Sequence, residues 1–307
     1  MRNELFMGDR KPLVNIGIPV YNGEKFIHRA LKSLLVQDYE NFELIISDNH
    51  STDSTQEICL DYMARDKRIR YFRNEMNVGA IKNFNKVFEI SQGEYFMWHA
   101  HDDLRESNYI SSCFKFMEKN PNIVLCCTDA LLGENGDFRK LEENVTTIGM
   151  SPNKRFRKIL WINSCASIYG LIRSRVLRKT GLLRNVFGPD NLLLAELSLM
   201  GEFFQMPSVL FRKNIADRNI VKKVEAVFET ILPHDNRAYY LPFTKLAMEH
   251  WKLIQNSELV GRERLVAFWN IIVCFLLKYK IFLLDPAITC YLNLSKLRNR
   301  ENTKRNI

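Results

Sequence analysis

The first part of the chain alternates short apolar runs with stretches of helical periodicity. Strands are predicted over Leu13–Val20, Phe42–Ser47 and Ile69–Arg73, where apolar and β-branched residues run together and stop at turn-forming or polar residues. Between these strands, helices are predicted over Glu24–Gln37 and from Ser54 to about Asp66. Such alternation favours a mainly parallel sheet that is covered by helices.

The alternation continues as far as residue 128. The segment Ile81–Phe88 is predicted as a helix, and the aromatic run that begins at Tyr95 as a short buried strand. An amphipathic helix over Ile110–Met117 and a buried strand over Ile123–Thr128 follow. These elements extend the predicted sheet.

The pattern changes after residue 130. The polar segment from about Gly133 to Arg155 is predicted as a loop, and Ser167–Leu177 as a strand that leads into a helix. A further helix is predicted over Asn191–Met200, with Asp190 at its start, where the simplest role of this residue is an N-cap worth about 1 kcal/mol. Beyond about Val221 the pattern is helical.

Composition and charge restrict the class of protein. The chain has 307 residues, of which 46% are hydrophobic, so it can bury a sizeable core. Its formal net charge of +9 suits an anionic partner, but does not choose among nucleotide phosphate, anionic lipid and nucleic acid. The 7 cysteines have no C-x-x-C spacing, so reduced thiols and a cytoplasmic location are expected. No signal peptide is predicted at the N-terminus.

Two adjacent carboxylates, Asp102 and Asp103, follow the apolar run that begins at Tyr95. Ligands of open α/β sheets bind outside the carboxyl ends of the strands. Mg²⁺ is usually held by one or two carboxylates together with substrate phosphates. The pair is therefore a candidate site for Mg²⁺ or Mn²⁺ beside a nucleoside diphosphate. The alternative is that these acids cap a helix that begins near Ser107.

Several ordered motifs lie in the N-terminal half. They are Ile-Gly-Ile-Pro-Val-Tyr-Asn-Gly-Glu from Ile16, Phe-Glu-Leu-Ile-Ile-Ser-Asp-Asn-His-Ser-Thr-Asp-Ser-Thr from Phe42, Asn77-Val78-Gly79, and Gly93-Glu94-Tyr95 ahead of the acids. In order and spacing these motifs resemble family 2 glycosyltransferases of the GT-A fold. The segment from Gly188 to Gly201 is similar to the acceptor-side helix of that family.

The resemblance implies an α/β architecture and a division of the chain. A Rossmann-like, mixed but mainly parallel sheet flanked by helices would form a GT-A domain over residues 1–220. Its donor half would cover about 12–130 and its acceptor half about 131–220. A C-terminal helical region would cover 221–307.

The resemblance also implies roles for individual residues. The nucleotide-binding residues that it implies are Pro19, Tyr21, Glu24, Asp48, Lys82 and Asp102. Asp48 would contact the base, Asp102 would bind the metal with Asp103 close by, and Asp190 would be the general base. The family's first metal-binding acid is replaced by Ala100, which leaves the strength of metal dependence open.

The implied function is an inverting, metal-assisted transfer of sugar from a UDP-, GDP- or dTDP-sugar to a hydroxyl of a glycan or lipid-linked glycan, as in polysaccharide biosynthesis. Nucleic acid is not an expected partner. One alternative is a sugar nucleotidyltransferase, although Pro19–Gly23 lacks the Gly-rich phosphate loop of that class. Another is a non-catalytic carbohydrate-binding protein on the same fold, which Ala100 favours slightly.

The C-terminal region suggests contact with a membrane surface. The apolar run Leu265–Leu277 has 13 residues and contains Asn270, which makes it shorter than the roughly 20 residues that a spanning helix needs. Lys278, a second apolar run over Ile281–Leu284 and a basic tail follow. This pattern is typical of peripheral binding to the anionic inner face of the cytoplasmic membrane. The alternative is a helical pair that packs on the catalytic domain.

Overall fold

The computed structural model describes residues 12–134, 137–162, 166–214, 241–278 and 280. The strands are β1 Val14–Val20, β2 Phe42–Asp48, β3 Ile69–Arg73, β4 Tyr95–Trp98, β5 Leu104–Arg105, β6 Ile123–Glu134, β7 Asp137–Lys140, β8 Leu171–Arg173 and β9 Glu202–Asn214. The α-helices are α1 Ile27–Leu35, α2 Thr55–Arg65, α3 Ala80–Glu89, α4 Tyr109–Lys119, α5 Pro152–Leu160, α6 Ser174–Leu177, α7 Pro189–Met200, α8 Pro242–Asn256 and α9 Gly261–Leu277. A short 3₁₀ helix covers Ala166–Tyr169.

All strands of the described ranges belong to one mixed sheet. Their order is β3-β2-β1-β4-β8-β6-β9-β5, and β7 pairs with β6. The first four strands are mutually parallel, β8 is antiparallel to both of its neighbours, and β6 pairs in parallel with β9. The predicted α/β fold with a mainly parallel sheet is therefore confirmed.

The donor half is built on strands that are buried on both faces. Every residue of β1 is buried, as the near-continuous apolar pattern of a central parallel strand requires. On one face α3 packs so closely that a Cβ atom built on Gly17 would lie 2.6 Å from Val87 Cγ2 and 2.7 Å from Phe96 Cζ. Only glycine fits at this crossing of strand and helix.

The prediction of a loop over 133–155 is wrong at both ends of this range. Strand β6 runs on to Glu134 and forms a hairpin with β7, while α5 already begins at Pro152. The second half of β6, from Asp129, pairs with β9, and the register shifts opposite Pro207, which has no N–H to donate. Pairing with β7 and β9 keeps this stretch extended beyond the predicted strand.

The C-terminal helices α8 and α9 pack against each other and against α5 and α7. The helical pattern predicted beyond residue 221 is confirmed over 242–256 and 261–277, while Ile281–Leu284 and the basic tail lie outside the described residues. No helix of the described chain has both the length and the apolar character needed to cross a bilayer. The division into two regions at residue 220 stays a prediction.

The cysteines of the described chain are free thiols in buried positions, as expected. They are Cys59, Cys113, Cys126, Cys127 and Cys274. The remaining two, Cys165 and Cys290, lie outside the described residues.

The tight crossing at Gly17 predicts the cost of added volume. Gly17→Ala should lower the free energy of unfolding by about 1–3 kcal/mol, because the new methyl group must displace Val87 or Phe96 in a packed core. Urea unfolding measures this change. Glu89→Ala, on the exposed side of α3, is the control and should leave the midpoint nearly unchanged. Equal midpoints for the Gly17 variant and the wild type would show that α3 does not pack as described.

Candidate active site

The carboxyl ends of three neighbouring strands meet at one edge of the sheet. Val20, at the end of β1, lies opposite Asp48, at the end of β2. On the other side β4 ends at Trp98, and the N–H of His99 donates to the carbonyl of Gly17 at 2.9 Å. The loop after β1 therefore lies between Asp48 and the segment that carries Asp102 and Asp103.

This loop is fixed by the segment before α2. The N–H groups of Asn22 and Gly23 donate to the hydroxyls of Ser51 (3.0 Å) and Thr55 (2.7 Å). Glu24, predicted to line the nucleotide pocket, accepts from the N–H of Ser54 at 3.1 Å through its carboxylate. The side chain of Glu24 is thus engaged in holding two loops together.

The two other loop residues predicted to line the pocket differ in exposure. Pro19 is buried within β1, whereas Tyr21 is 42% exposed at the end of that strand. Tyr21 is the one of the pair whose ring is accessible to a ligand at this edge.

Asp48 is enclosed by its own hydrogen bonds. One carboxylate oxygen accepts from the N–H of Ser51 at 2.8 Å and from its hydroxyl at 2.6 Å, and the other accepts from the hydroxyl of Tyr71 at 2.6 Å. Arg73 Nε lies 3.7 Å from the second oxygen. Burial, together with the hydrogen bond to Asp48, raises the pKa of Tyr71. In this arrangement a base could bond to Asp48 only if one of these partners gave way.

Lys82 is exposed in the first turn of α3. The cation one turn further along, Lys86, donates to Asn74 Oδ1 at 2.6 Å. Asn74 in turn donates to the side-chain oxygens of Asn49 and Asn83, both at 3.0 Å. This buried amide network, which sequence patterns did not indicate, connects the end of β2 with the segment that follows β3.

The acid pair divides between two environments. Asp102 lines a cavity of about 140 Å³ whose walls include Arg29 and Arg212. Asp103 is fully buried, and its Oδ1 accepts from the N–H of Asn214 at 2.9 Å. Burial raises the pKa of Asp103 to about 6, although the nearby Lys213 acts to lower it. Only Asp102 of the pair is open to a ligand in the cavity.

Neither acid caps a helix. Strand β5 follows the pair directly, and α4 begins only at Tyr109, with Asn108 in its N-cap position. The capping alternative for Asp102 and Asp103 is therefore wrong. Burial lowers the pKa of His101, which precedes the pair, and the ring packs close to Gly23, where a Cβ atom would lie 2.9 Å from the imidazole Cδ2.

The N-cap role of Asp190 is also wrong. Helix α7 begins at Pro189, and its N-cap is Gly188, whose φ of 68° suits a residue without a Cβ atom. Asp190 lies inside the first turn, where the positive end of the helix stabilises a carboxylate.

A half-buried lysine connects this helix to the acid pair. Lys213, near the end of β9, lies 3.9 Å from Asp103 Oδ2 and 4.1 Å from the ring centre of Tyr169. Burial acts to lower the pKa of Lys213, but Tyr169, Asp103 and Asp190 together raise it above its ordinary value. Asp190 likewise acts on the pKa of Tyr169, which burial raises to about 12. Asp103 and Asp190 therefore both act electrostatically on Lys213.

Arg105 fixes the backbone next to this cluster. Its guanidinium donates to the carbonyl oxygens of Tyr169 (2.6 Å) and Trp98 (3.2 Å), and lies over the rings of Tyr109 and Phe211. Sequence analysis missed Arg105, Tyr169 and Lys213. A cation two residues after an acid pair was an available signal for Arg105, whereas Lys213 lies in a strand that no apolar pattern marked.

Asp102 could offer one carboxylate to a divalent cation that takes its other ligands from a substrate. No group of three or more His, Cys, Asp or Glu side chains in the described chain is arranged to hold a metal ion. Asp102 at the cavity and the Oδ2 of Asp103, which has no hydrogen-bond partner, are hard oxygen donors. One or two carboxylates with substrate phosphates and water complete the coordination that Mg²⁺ prefers.

Curated relatives match less than half of the chain. An uncharacterized glycosyltransferase of Rickettsia bellii is 37% identical over 131 residues, which are 41% of this chain and 18% of the relative. Glycosyltransferase GlyG of Streptococcus pneumoniae is 32% identical over 114 residues, 37% of this chain and 38% of the relative. The match therefore spans well under half of either relative.

Solved structures match most of the chain at low identity. TarS 1–349 of S. aureus in complex with UDP has a TM-score of 0.64 at 17% identity, over 86% of this chain and 71% of that one. Mannosyltransferase PcManGT from Pyrobaculum calidifontis, in complex with GDP-Man and Mn²⁺, has a TM-score of 0.59 at 13% identity, over 95% and 76%. The likeness concerns the fold, which is the GT-A fold.

The family itself follows from a match to more than half of the sequence. The model for glycosyl transferase family 2 matches residues 15–181. This range contains the loop after β1, the end of β2 and the acid pair after β4. The chain belongs to glycosyl transferase family 2.

Proposed function

We propose that the protein is an inverting glycosyltransferase that moves a sugar from a nucleoside diphosphate sugar to a hydroxyl of a glycan or lipid-linked glycan. The observation that carries this proposal is Asp102 at the cavity, next to Asp103 and Lys213, with Asp190 acting electrostatically on the same lysine. Family membership supports it. The fold relatives were solved with UDP, UDP-GlcNAc or GDP-Man, which supports a nucleoside diphosphate sugar as the donor class.

On the donor side, Asp102 is the proposed ligand of Mg²⁺ or Mn²⁺, with Asp103 behind it. The cation, when bound, would offset the charge of the leaving diphosphate. Tyr21 lines the nucleotide pocket, and Lys82 is an exposed cation within the same half of the protein. We propose that Asp48 contributes to nucleobase binding mainly indirectly, because it fixes Ser51 and Tyr71 through hydrogen bonds.

On the acceptor side, Asp190 is the proposed general base. Its carboxylate takes the proton of the acceptor hydroxyl as the oxygen forms a bond to the anomeric carbon, from the face opposite the diphosphate. The bond from the anomeric carbon to the phosphate oxygen breaks, and its electron pair leaves with the nucleoside diphosphate. One displacement of this kind inverts the anomeric configuration and needs no nucleophile from the protein.

The alternatives are weaker. Membership of a glycosyltransferase family, together with the absence of a Gly-rich phosphate loop in Pro19–Gly23, favours the transferase over a sugar nucleotidyltransferase. A non-catalytic carbohydrate-binding role would be consistent with Ala100, and the Asp190 variant below distinguishes it. The buried free cysteines of the described chain support the proposed cytoplasmic location.

The role of Asp190 predicts a loss of transfer without a loss of donor binding. Asp190→Asn should reduce the rate of transfer by about 100-fold or more, because the amide cannot accept the proton. Donor affinity, measured by calorimetry, should stay within a few-fold of wild type. Asp61→Asn, an exposed acid on α2, is the control. Undiminished transfer by the Asp190 variant would exclude it as the base.

The role of Asp102 predicts a loss of metal dependence. Asp102→Ala should abolish the stimulation by Mn²⁺ of nucleotide-sugar hydrolysis, because the only carboxylate of the pair that lines the cavity is removed. Hydrolysis of UDP-, GDP- and dTDP-sugars is followed during a Mn²⁺ titration. Full stimulation in the variant would assign the metal to other residues.

The pairing of Lys213 with Asp103 predicts a pH-dependent stability. Lys213→Met should lower the free energy of unfolding by about 1–3 kcal/mol at pH 8, where it leaves a buried carboxylate without its cation. Because the pKa of Asp103 in the folded protein is about 6, above the ordinary 3.8, Asp103 is largely protonated at pH 5. The loss should therefore be smaller at pH 5.

The double variant Lys213→Met/Asp103→Asn is the control for this pairing. It should regain most of the stability at pH 8, since the side chain at position 103 then carries no charge that needs Lys213. Urea unfolding at both pH values measures each effect, and an equal loss at pH 5 and pH 8 would contradict the pairing.

A further inference from the structure

Helix α9 is apolar on two opposite sides. Its inner side, with Ala267, Ile271 and Cys274, is buried against α5 and α8. The opposite side carries a stripe of apolar residues at helical spacing, namely Leu265 (69% exposed), Trp269 (64%), Ile272 (40%) and Leu276 (41%). A helix that is apolar all round is typical of a core or of a membrane environment, and here one side faces solvent.

A basic edge lies on α5, the helix against which α9 packs. Helices α5 and α9 lie side by side in the same direction, because Asn270 bonds to Asn153 while Lys278, a turn or two further along, donates to the carbonyl oxygen of Leu160. The exposed residues of α5 and of its C-cap are Lys154, Arg157 and Trp161. No acid occurs between Leu265 and Lys280.

A cavity of about 480 Å³ opens at the basic edge, and its walls include Met150, Lys154, Arg157 and Trp161. Its volume lies within the range of small-molecule sites. Two cations and an indole ring around an open cavity suit the phosphate and glycerol groups of a phospholipid head.

We propose that the outer side of α9 and the basic edge of α5 form one docking face for an anionic phospholipid bilayer. The docking face consists of Leu265, Trp269, Ile272 and Leu276 together with Lys154, Arg157 and Trp161. The apolar stripe inserts at the level of the headgroups, the cations bind lipid phosphate, and the two tryptophans lie at the interface.

The positive charge of the docking face favours an anionic bilayer over a second copy of the chain or the C-terminal segment. A symmetric pair of copies would bring the same face against itself, and the basic edges would repel. The sequence after Ile281 carries Lys296, Arg298, Arg300, Lys304 and Arg305 against two acids, Asp285 and Glu301, so this segment is also unsuited to cover a basic edge.

The docking face is joined through packed helices to the proposed base. Helix α8 packs on both α9 and α7. The rings of Phe187, just before α7, and Phe243, in α8, are 4.9 Å apart. A bilayer on the docking face would therefore be held by the helices that support Asp190. Docking would thus bring the proposed base close to a bilayer, which suits a lipid-linked acceptor. This conclusion about the acceptor rests on the proposed function, whereas the docking itself does not.

The test is sedimentation of the full chain with vesicles of phosphatidylcholine, with or without phosphatidylglycerol. Trp269→Ser/Ile272→Ser should weaken binding to the anionic vesicles by about tenfold, because the inserted apolar area is lost. Lys154→Gln/Arg157→Gln should weaken it at low salt and much less at high salt. Val36→Ser and Lys115→Gln/Lys119→Gln, exposed on α1's C-cap and on α4, are the matched controls and should bind as wild type.

Circular dichroism melting establishes that each variant is folded, and calorimetry with the donor reports on the catalytic site separately. Absence of wild-type binding to anionic vesicles, or equal binding by the Trp269/Ile272 variant, would overturn the docking face. A dimer in solution that this variant dissociates would assign the face to a second copy instead. Vesicle binding with no transfer activity would leave docking in place while contradicting the proposed function.

Discussion

A carboxylate as deeply buried as Asp103 needs a compensating charge, and one lysine provides it. Lys213 comes from β9, which is distant in sequence but pairs with β5, the strand directly after the acid pair. The charge of Asp190 acts on the same lysine, so the start of α7 is coupled electrostatically to the contact between Asp103 and β9. The arrangement of the candidate site depends on this shared charge.

The sheet topology makes the shared charge possible. Strand β8 enters antiparallel between β4 and β6, so the sheet continues from the donor half into the acceptor half without a break. Strand β9 then pairs along the whole of β6 and ends beside the acid pair, where the N–H of Asn214 bonds to Asp103. A donor-side acid is thereby fixed by an acceptor-side strand.

The C-terminal helices connect the candidate site to the surface of the protein. Helices α8 and α9 bury their inner sides against α5 and α7, and so support the helix that carries Asp190. The outer side of α9 keeps an apolar stripe that this packing does not use. One side of α9 thus supports the candidate site, and its other side is the proposed membrane contact.

Local patterns in the sequence determined the strands β1 to β4, the helices between them and the acids at the strand ends, because each of these depends on a few neighbouring residues. They were not enough to assign β7, β9 or the second half of β6, whose extended conformation depends on hydrogen bonds from partner strands. Nor could they assign Lys213, or separate the open Asp102 from the buried Asp103. Burial and long-range charge decide those roles, and both arise only when distant segments pack together.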